Sequence, residues 1–217
     1  GLLGSSSWCL DRAELVQGKI NPLHDKEIIN LDNKLINSMS FSQLQEIRAS
    51  IGMVFQFGAL FDSLTVRDNI SLALRKLTKL SEDEIQERVI NSLESVDMAN
   101  TEDLMPAELS GGMKKRVGIA RAIAIKPSYL FYDEPTTGLD PVMTDSINRL
   151  ICKFQSTEKV TSVIITHEMR TVYDVADRVI LLHDGKIRFD GNPDDIKNVD
   201  DPVVQQFITG NSTLVLK

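Results

Sequence analysis

Short apolar runs alternate along the chain with segments whose apolar residues recur at helical spacing. The runs are typical of buried strands, and all fall well short of the ~18–20 apolar residues of a membrane span. Strands are predicted at residues 27–31, 52–55, 129–132, 162–166, 179–182 and 186–189. Helices are predicted at residues 40–51, 81–98, 112–125 and 146–154, with one more ending near Ala176. Strands that alternate with helices predict an α/β domain with a parallel sheet covered on both faces.

The helix over residues 81–98 has the clearest pattern. Ser81 and Glu84 form a capping box at its start. One face of the helix is apolar and carries Ile85, Val89, Leu93 and Val96. Because the stretch from about 65 to 125 contains helices without strands, we expect a helical lobe there, within a single domain that spans residues 1–217.

The composition fits one globular domain with a buried core. The chain has 217 residues, of which 42% are hydrophobic and 25% are charged, and these values are ordinary for such a domain. Its net charge of −7 argues against a nucleic-acid partner, because such binders usually present a basic surface. Cys9 and Cys152 lack the spacing of a metal site, so we expect reduced thiols.

Residues 109–112 place a serine and two glycines directly before a predicted helix. Gly111 and Gly112 let the backbone approach a phosphate closely, and the helix start supplies free N–H groups and a positive dipole end. Ser110 adds a hydroxyl donor. Such a sequence alone is most often a turn, but here a basic and apolar helix and then an acidic strand follow it. This order favours a phosphate-binding role.

Asp133 and Glu134 follow the apolar strand at residues 129–132. A carboxylate in that place can hold Mg²⁺ through water, and a neighbouring carboxylate can polarise an attacking water molecule. Two solvated acids at a strand end are the alternative, and it fits less well with the Pro-Thr-Thr-Gly-Leu-Asp-Pro segment that follows. Gln56 and His167 also follow predicted strands, where a lone amide or histidine is more often structural.

In their order, these features resemble the ATP-binding-cassette (ABC) ATPases, and the resemblance covers residues 52–193 closely. It implies an ABC ATPase nucleotide-binding domain with a mostly parallel RecA-like core and a helical subdomain, here missing its N-terminal strands. ATP and Mg²⁺ are the implied ligands. By this resemblance Asp133 is the Mg²⁺ residue of the Walker B motif, Glu134 is the general base, and His167 is the switch histidine that contacts the γ-phosphate.

The same resemblance gives roles to the remaining candidates. Gln56 matches the Q-loop glutamine, which meets Mg²⁺ and the attacking water and senses the membrane partner. Ser110, Gly111 and Gly112 match the signature motif, which closes over ATP held by a second ATPase subunit, so a homodimer is implied. Asp140 matches the D-loop acid that links the two nucleotide sites across that dimer.

Finer details resemble the ATPases of bacterial Mla/Mce-type lipid-trafficking transporters. They are Met113 after the signature glycines, the segment at residues 58–66, Tyr132 before the Walker B acid and the short C-terminal segment. The resemblance implies a subunit that hydrolyses ATP to move phospholipid or a related lipid. Its implied partners are an MlaE-like permease and an MCE-domain lipid-binding protein. Its implied place is peripheral, on the cytoplasmic face of the inner membrane or in a plastid.

The loop at residues 56–64 and the helical lobe would form the docking cleft for a permease helix. Phe57, Leu60 and Phe61 either contact that helix or pack in the core. Soluble ABC ATPases of DNA repair and translation are a second class. They fit less well, because the distance from Gln56 to Ser110 leaves no room for a long coiled coil and the chain holds one cassette.

A phosphate-binding loop with a lysine should precede these motifs, and it is not intact. We expect residues 1–10 to be its counterpart. Gly1 and Gly4 align with two glycines of that loop, whereas Ser7 aligns with its lysine and Trp8 with its hydroxyl residue. Residues 1–18 contain no lysine in any register. Because charge-assisted contacts to phosphate contribute about 1.5–3 kcal/mol each, this chain should bind ATP weakly and hydrolyse it slowly.

Two explanations compete for the missing lysine. The sequence is truncated or misread at its start, or the chain is a degenerate, catalytically impaired cassette that acts as a structural or regulatory partner. The first is favoured because every later motif is intact.

Overall fold

The computed structural model describes residues 29–210 and the backbone of residues 2–5. Its strands are β1 (Leu2–Ser5), β2 (Asn30–Leu31), β3 (Lys34–Leu35), β4 (Ile51–Val54), β5 (Tyr129–Asp133), β6 (Thr161–Thr166), β7 (Arg178–His183) and β8 (Lys186–Gly191). Its helices are α1 (Phe41–Ala49), α2 (Val66–Leu77), α3 (Glu82–Ser95), α4 (Gly111–Ala124), α5 (Pro141–Glu158), α6 (Met169–Val175) and α7 (Pro202–Thr209). Short 3₁₀ turns cover Ile36–Ser38, Pro106–Glu108 and Asp195–Asn198.

A six-stranded sheet in the order β4-β5-β6-β1-β7-β8 forms the centre of the fold, beside a small β2-β3 hairpin. Strand β4 pairs parallel with β5, and β5 pairs parallel with β6. Strand β1 is antiparallel to both β6 and β7, so β7 runs in the same direction as β6. Strand β8 returns antiparallel to β7 as the predicted hairpin. The predicted α/β class is therefore confirmed, and β4, β5, β6 and β7 run in one direction.

Strand β1 corrects one prediction. Gly4, expected in a phosphate-binding loop, pairs with Ile164 on one side and Val179 on the other. The backbone groups of β6 and β7 that face each other need hydrogen-bond partners, and β1 supplies them. The prediction that Gly4 is a loop glycine is wrong. The corresponding predictions for Gly1, Ser7 and Trp8 lie outside the described residues.

The helices begin where side chains cap them. The predicted capping box of Ser81 and Glu84 is present at α3, and Ser40 with Gln43 forms a second box at α1. Helix α5 is longer than the predicted residues 146–154, since it starts at Pro141. Proline is favoured in the first turn of a helix, because the missing N–H has no intrahelical partner there.

Two apolar clusters hold the layers together. The larger one joins α2, α3, α4 and α5 to one face of the sheet, where Val54, Leu130, Tyr132 and Ile164 are buried. The smaller one joins α6 and α7 to β7 through Val172, Val179, Leu181, Ile196 and Val204. Residues 66–124 contain α2, α3 and α4 and no strand, and these three helices pack against one another.

None of the helices within residues 29–210 is both long enough and apolar enough to cross a membrane.

Close contact between β4 and α4 depends on Gly52. A Cβ atom at this position would lie 2.6 Å from the Ala122 carbonyl oxygen and 2.7 Å from Leu130 Cδ2. We expect Gly52→Ala to lower the free energy of unfolding by about 1–3 kcal/mol, as overpacking of a core does. Urea denaturation followed by circular dichroism measures this change. Gly111→Ala is the matched control, because its Cβ would meet nothing within 4 Å. Equal unfolding midpoints for the two variants would contradict the expectation.

Candidate functional site

The carboxyl ends of three parallel strands meet at one edge of the sheet. The register aligns Val54 with Tyr132, and Asp133 with Ile165. Gln56, Glu134 and His167 come just after these strand ends, so the polar residues that were predicted separately share one edge. In open parallel sheets, ligands bind outside this edge. The sheet therefore brings three distant chain segments to one candidate site.

Glu134 is the centre of a hydrogen-bond network at this edge. His167 Nδ1 lies 2.8 Å from its Oε1, and the Thr137 hydroxyl donates to its Oε2 at 2.7 Å. Thr166 Oγ1 adds a longer contact of 3.5 Å. Because an ionised carboxylate only accepts hydrogen bonds, Nδ1 of His167 carries the proton and Nε2 is left for another partner. Both carboxylate oxygens are thus held in place.

The backbone also fixes Glu134. Its φ is +48°, in the left-handed region that residues with a Cβ seldom adopt, and its amide donates to the Ile165 carbonyl at 2.9 Å. The side chain of Glu134 is 19% exposed, whereas that of His167 is 59% exposed. Backbone strain of this kind concentrates at functional sites, where the surrounding structure maintains it. The turn aims Glu134 at His167, and His167 faces the open surface.

The network sets the charge of Glu134. Burial acts to raise the pKa of the Glu134 carboxyl. The hydrogen bonds from His167 and Thr137, together with the charge of His167, act in the other direction and leave that pKa below its usual value. Glu134 is therefore ionised at neutral pH and has lone pairs with which to take a proton.

Asp133 and Gln56 are half-buried at the same edge. Neither side chain has a hydrogen bond with another residue of the described segments, so both are available to a ligand. Within the described segments no group of three or more His, Cys, Asp or Glu side chains could hold a metal ion. The Asp133 carboxylate and the Gln56 amide oxygen are ligands of the kind that Mg²⁺ takes in proteins, where the ion keeps several waters and needs few protein ligands.

The signature residues start helix α4. Ser110 is the N-cap, and its hydroxyl oxygen accepts from the Met113 amide at 3.3 Å. Gly111 is exposed, and nothing lies within 4 Å of the position of its Cβ. Gly112 is buried, and its Cβ position is occupied by the Met143 side chain. The helix start is open at Gly111, as expected of a backbone that meets a phosphate.

Asp140 caps helix α5. Its Oδ1 accepts from the amides of Val142 and Met143, at 2.9 and 3.0 Å. Since Met143 lies against Gly112, the starts of α4 and α5 are in contact. The predicted role of Asp140 between two nucleotide sites stays a prediction, and the structure adds a structural role to it.

Two residues of the Glu134 network were not predicted. Thr137 lies within the Pro-Thr-Thr-Gly-Leu-Asp-Pro segment, and Thr166 directly precedes His167. Their positions next to predicted site residues were the only signal in the sequence. Neither threonine stands at a distinctive spacing from another motif in the sequence. Their contacts with Glu134 could not be predicted, because these depend on how β5 and β6 pair.

Comparison with known proteins gives a consistent result. The model of the ABC transporter family matches residues 13–137. The intermembrane phospholipid transport system ATP-binding protein MlaF of Escherichia coli K12 is 38% identical over 196 residues, which cover 90% of this chain and 72% of that protein. The chloroplastic protein TRIGALACTOSYLDIACYLGLYCEROL 3 of Arabidopsis thaliana is 40% identical over 177 residues, which cover 74% of this chain and 51% of that protein.

Solved structures agree in fold. The cbiO1 protein of Clostridium perfringens, part of the ABC transporter complex cbiONQ, aligns with a TM-score of 0.72 and 33% identity, over 83% of this chain and 72% of that one. A dimeric ATP-binding cassette bound to ADP and Pi aligns with a TM-score of 0.69 and 30% identity, over 76% of this chain and 73% of that one.

The charge of Glu134 predicts a pH dependence of stability. Because its folded pKa is lowered, Glu134 contributes stability at a pH above its unfolded pKa, and this contribution is lost as the pH falls through the folded pKa. We expect Glu134→Gln to be about 1 kcal/mol less stable than the parent at pH 6, with the gap closing towards pH 3. Urea midpoints across this range test it. The exposed Glu87→Gln serves as the control, and a gap that stays constant with pH would contradict the assignment.

Proposed function

The chain belongs to the ABC transporter family, and from this premise we propose that it is the ATP-hydrolysing subunit of a transporter that moves phospholipid or a related lipid. The observation that carries the catalytic part is the 2.8 Å contact between Glu134 and His167 beside Asp133. The lipid part is supported by the names of two relatives, a phospholipid transport protein and a chloroplastic protein named for a galactolipid.

The residues of the edge have distinct tasks in this proposal. Glu134 accepts the proton of the water that attacks the γ-phosphate, for which its ionised state suits it. His167 keeps Glu134 oriented through Nδ1 and presents Nε2 to the γ-phosphate. Gln56 orients the attacking water. Asp133 would hold Mg²⁺, and this ion, when bound, would neutralise the charge of the phosphates.

A second copy of the chain completes each site. Two of the aligned structures, both of the same ATP-binding cassette, are dimeric. In the proposed homodimer, Ser110, Gly111 and Gly112 of one subunit close over ATP held by the other, using the free amides at the start of α4. Asp140 lies beside the contact between α4 and α5, and it links the two nucleotide sites across the dimer.

The loop after β4 provides the docking surface for a permease. Phe57 is 75% exposed and Phe61 is 55% exposed, whereas Leu60 packs partly against the core. The Arg121 guanidinium donates to the carbonyls of Gly58 and Ala59 at 2.8 and 2.6 Å. This pair of hydrogen bonds fixes the loop so that both aromatic rings face outward. Large exposed aromatic residues are enriched at interaction sites.

We infer that the partner is an MlaE-like permease, assisted by an MCE-domain lipid-binding protein. The helical lobe at about residues 65–125 borders the aromatic loop and forms the other wall of the docking cleft. The subunit then sits peripherally, on the cytoplasmic face of the inner membrane or its plastid counterpart. The support is the similarity to MlaF and to the chloroplastic relative.

ATP turnover tests the catalytic part of the proposal. The chain is compared with a longer version that carries a phosphate-binding loop with its lysine. We expect the longer version to hydrolyse ATP and the present chain to bind ATP weakly. Glu134→Gln in the longer version should lower kcat by about 10²–10⁴-fold, the range for loss of a general base, while ATP binding persists. Glu87→Gln should leave both unchanged.

The other outcomes are also informative. Equal turnover in the two versions would contradict the importance given to the missing lysine. No turnover in either version would favour the alternative of a catalytically impaired cassette that acts as a structural or regulatory partner.

The docking surface is tested by co-purification with an MlaE-like permease in detergent. We expect the double variant Phe57→Ser and Phe61→Ser to weaken the complex at least about 10-fold, because large aromatic residues dominate such interfaces. The fold should be retained, since both rings are exposed. Phe41→Ser is the control, because Phe41 is 72% exposed on α1. Equal loss in the control would place the interface elsewhere.

A further inference from the structure

A buried lysine links helix α4 to the segment that follows Glu134. Lys115 lies in the first turns of α4 and is only 5% exposed, which is rare for a lysine without partners. Its Nζ donates to the Thr137 carbonyl at 2.6 Å. Burial lowers the pKa of Lys115, while the negative charges of Glu168 and Glu134 act to raise it. The cation is therefore placed between the start of α4 and two carboxylates of the catalytic edge.

Thr137 is hydrogen-bonded to both Lys115 and Glu134. Its carbonyl oxygen accepts a hydrogen bond from Lys115 Nζ, and its hydroxyl donates to Glu134 Oε2 at 2.7 Å. The neighbouring Thr136 is fully buried, and its hydroxyl lies 3.0 Å from that of Thr171. Thr136 and Thr137 thus both hold this segment in place. Because the Thr137 hydroxyl is bonded to Glu134, a movement of the segment's backbone would displace the Glu134 carboxylate. One cation thus connects α4 to the side chain that orients the general base.

The two ends of this connection serve different nucleotides in the proposed dimer. The start of α4 meets the ATP of the partner subunit, whereas Glu134 acts on the ATP of its own subunit. We propose that Lys115 is a positioning residue that couples the signature motif of each subunit to Glu134 of the same subunit, through Thr137, and so couples the two sites of the dimer. The inter-site part rests on the proposed function, whereas the Lys115–Thr137–Glu134 connection does not.

A packing role for the lysine stem is the competing explanation, since long side chains often bury their methylene groups. The two explanations predict opposite rankings of substitutions. Lys115→Met keeps the stem and removes the donor, whereas Lys115→Arg keeps a cationic donor and changes the shape. Lys114→Met removes the neighbouring charge from the same helix and is the matched control.

Amide hydrogen exchange of the 217-residue chain tests the connection without nucleotide. The reporter is Leu139, whose amide donates to the Thr136 carbonyl at 3.2 Å. We expect Lys115→Met to speed exchange at Leu139 about 10-fold, with Lys115→Arg and Lys114→Met within about 2-fold of the parent. Unchanged exchange in Lys115→Met overturns the proposal, as does equal acceleration in Met and Arg. If Lys115→Met does not fold, Lys115→Gln, which has a shorter and neutral donor, takes its place. We expect its exchange rate at Leu139 to lie between the parental rate and the rate expected for complete loss of the hydrogen bond. An exchange rate equal to that of the parent overturns the proposal.

The coupling of the two sites is tested in the longer version with an intact loop. We expect Lys115→Met to reduce the Hill coefficient of ATP hydrolysis towards about 1, while Lys114→Met keeps the parental value. An unchanged Hill coefficient overturns the inter-site part of the proposal. A parent without any ATP turnover would instead contradict the proposed function, and the exchange result at Leu139 would still decide the role of Lys115.

Discussion

The parallel pairing of β4, β5 and β6 is the constraint on which the candidate site depends. Parallel strands end at the same edge, so the polar residues that follow them lie along one edge of the sheet. Glu134 and His167 are 33 positions apart in the chain and still lie in hydrogen-bond contact. A shift of β6 by one residue would turn His167 to the other face of the sheet. The register is fixed by the buried side chains of these strands, among them Leu130, Tyr132 and Ile164.

A second constraint is the position of α4, which is held by contacts with β4, with the loop after β4 and with the segment after Glu134. Gly52 lets β4 approach it closely, Arg121 holds the loop with Phe57 and Phe61, and Lys115 reaches the segment after Glu134. One helix thus contacts the sheet, the loop that carries Phe57 and Phe61, and the segment after Glu134. In the proposed function, α4 therefore connects the proposed docking surface, the start of α4 that would close over ATP, and Glu134.

Much of the fold was predictable because its signals are local. The capping box at Ser81, the apolar face of α3 and the strand before Asp133 are properties of short windows, and each was found as predicted. The early start of α5 was missed because Asp140 and Pro141 were assigned to a loop. Strand β1 was missed because the glycines of residues 1–10 were interpreted as a phosphate loop, and its pairing with β6 and β7 is not written in its own residues.

The sequence by itself determined the fold class, which follows from periodicity and caps, and the family, which follows from the order of its motifs. Only the tertiary structure decided which side chains meet. Three contacts are of this kind: the Thr137 hydroxyl with Glu134, Lys115 with the Thr137 carbonyl, and Met143 with Gly112. They depend on strand register and helix position, which the whole core fixes at once, and no short segment of the chain encodes them.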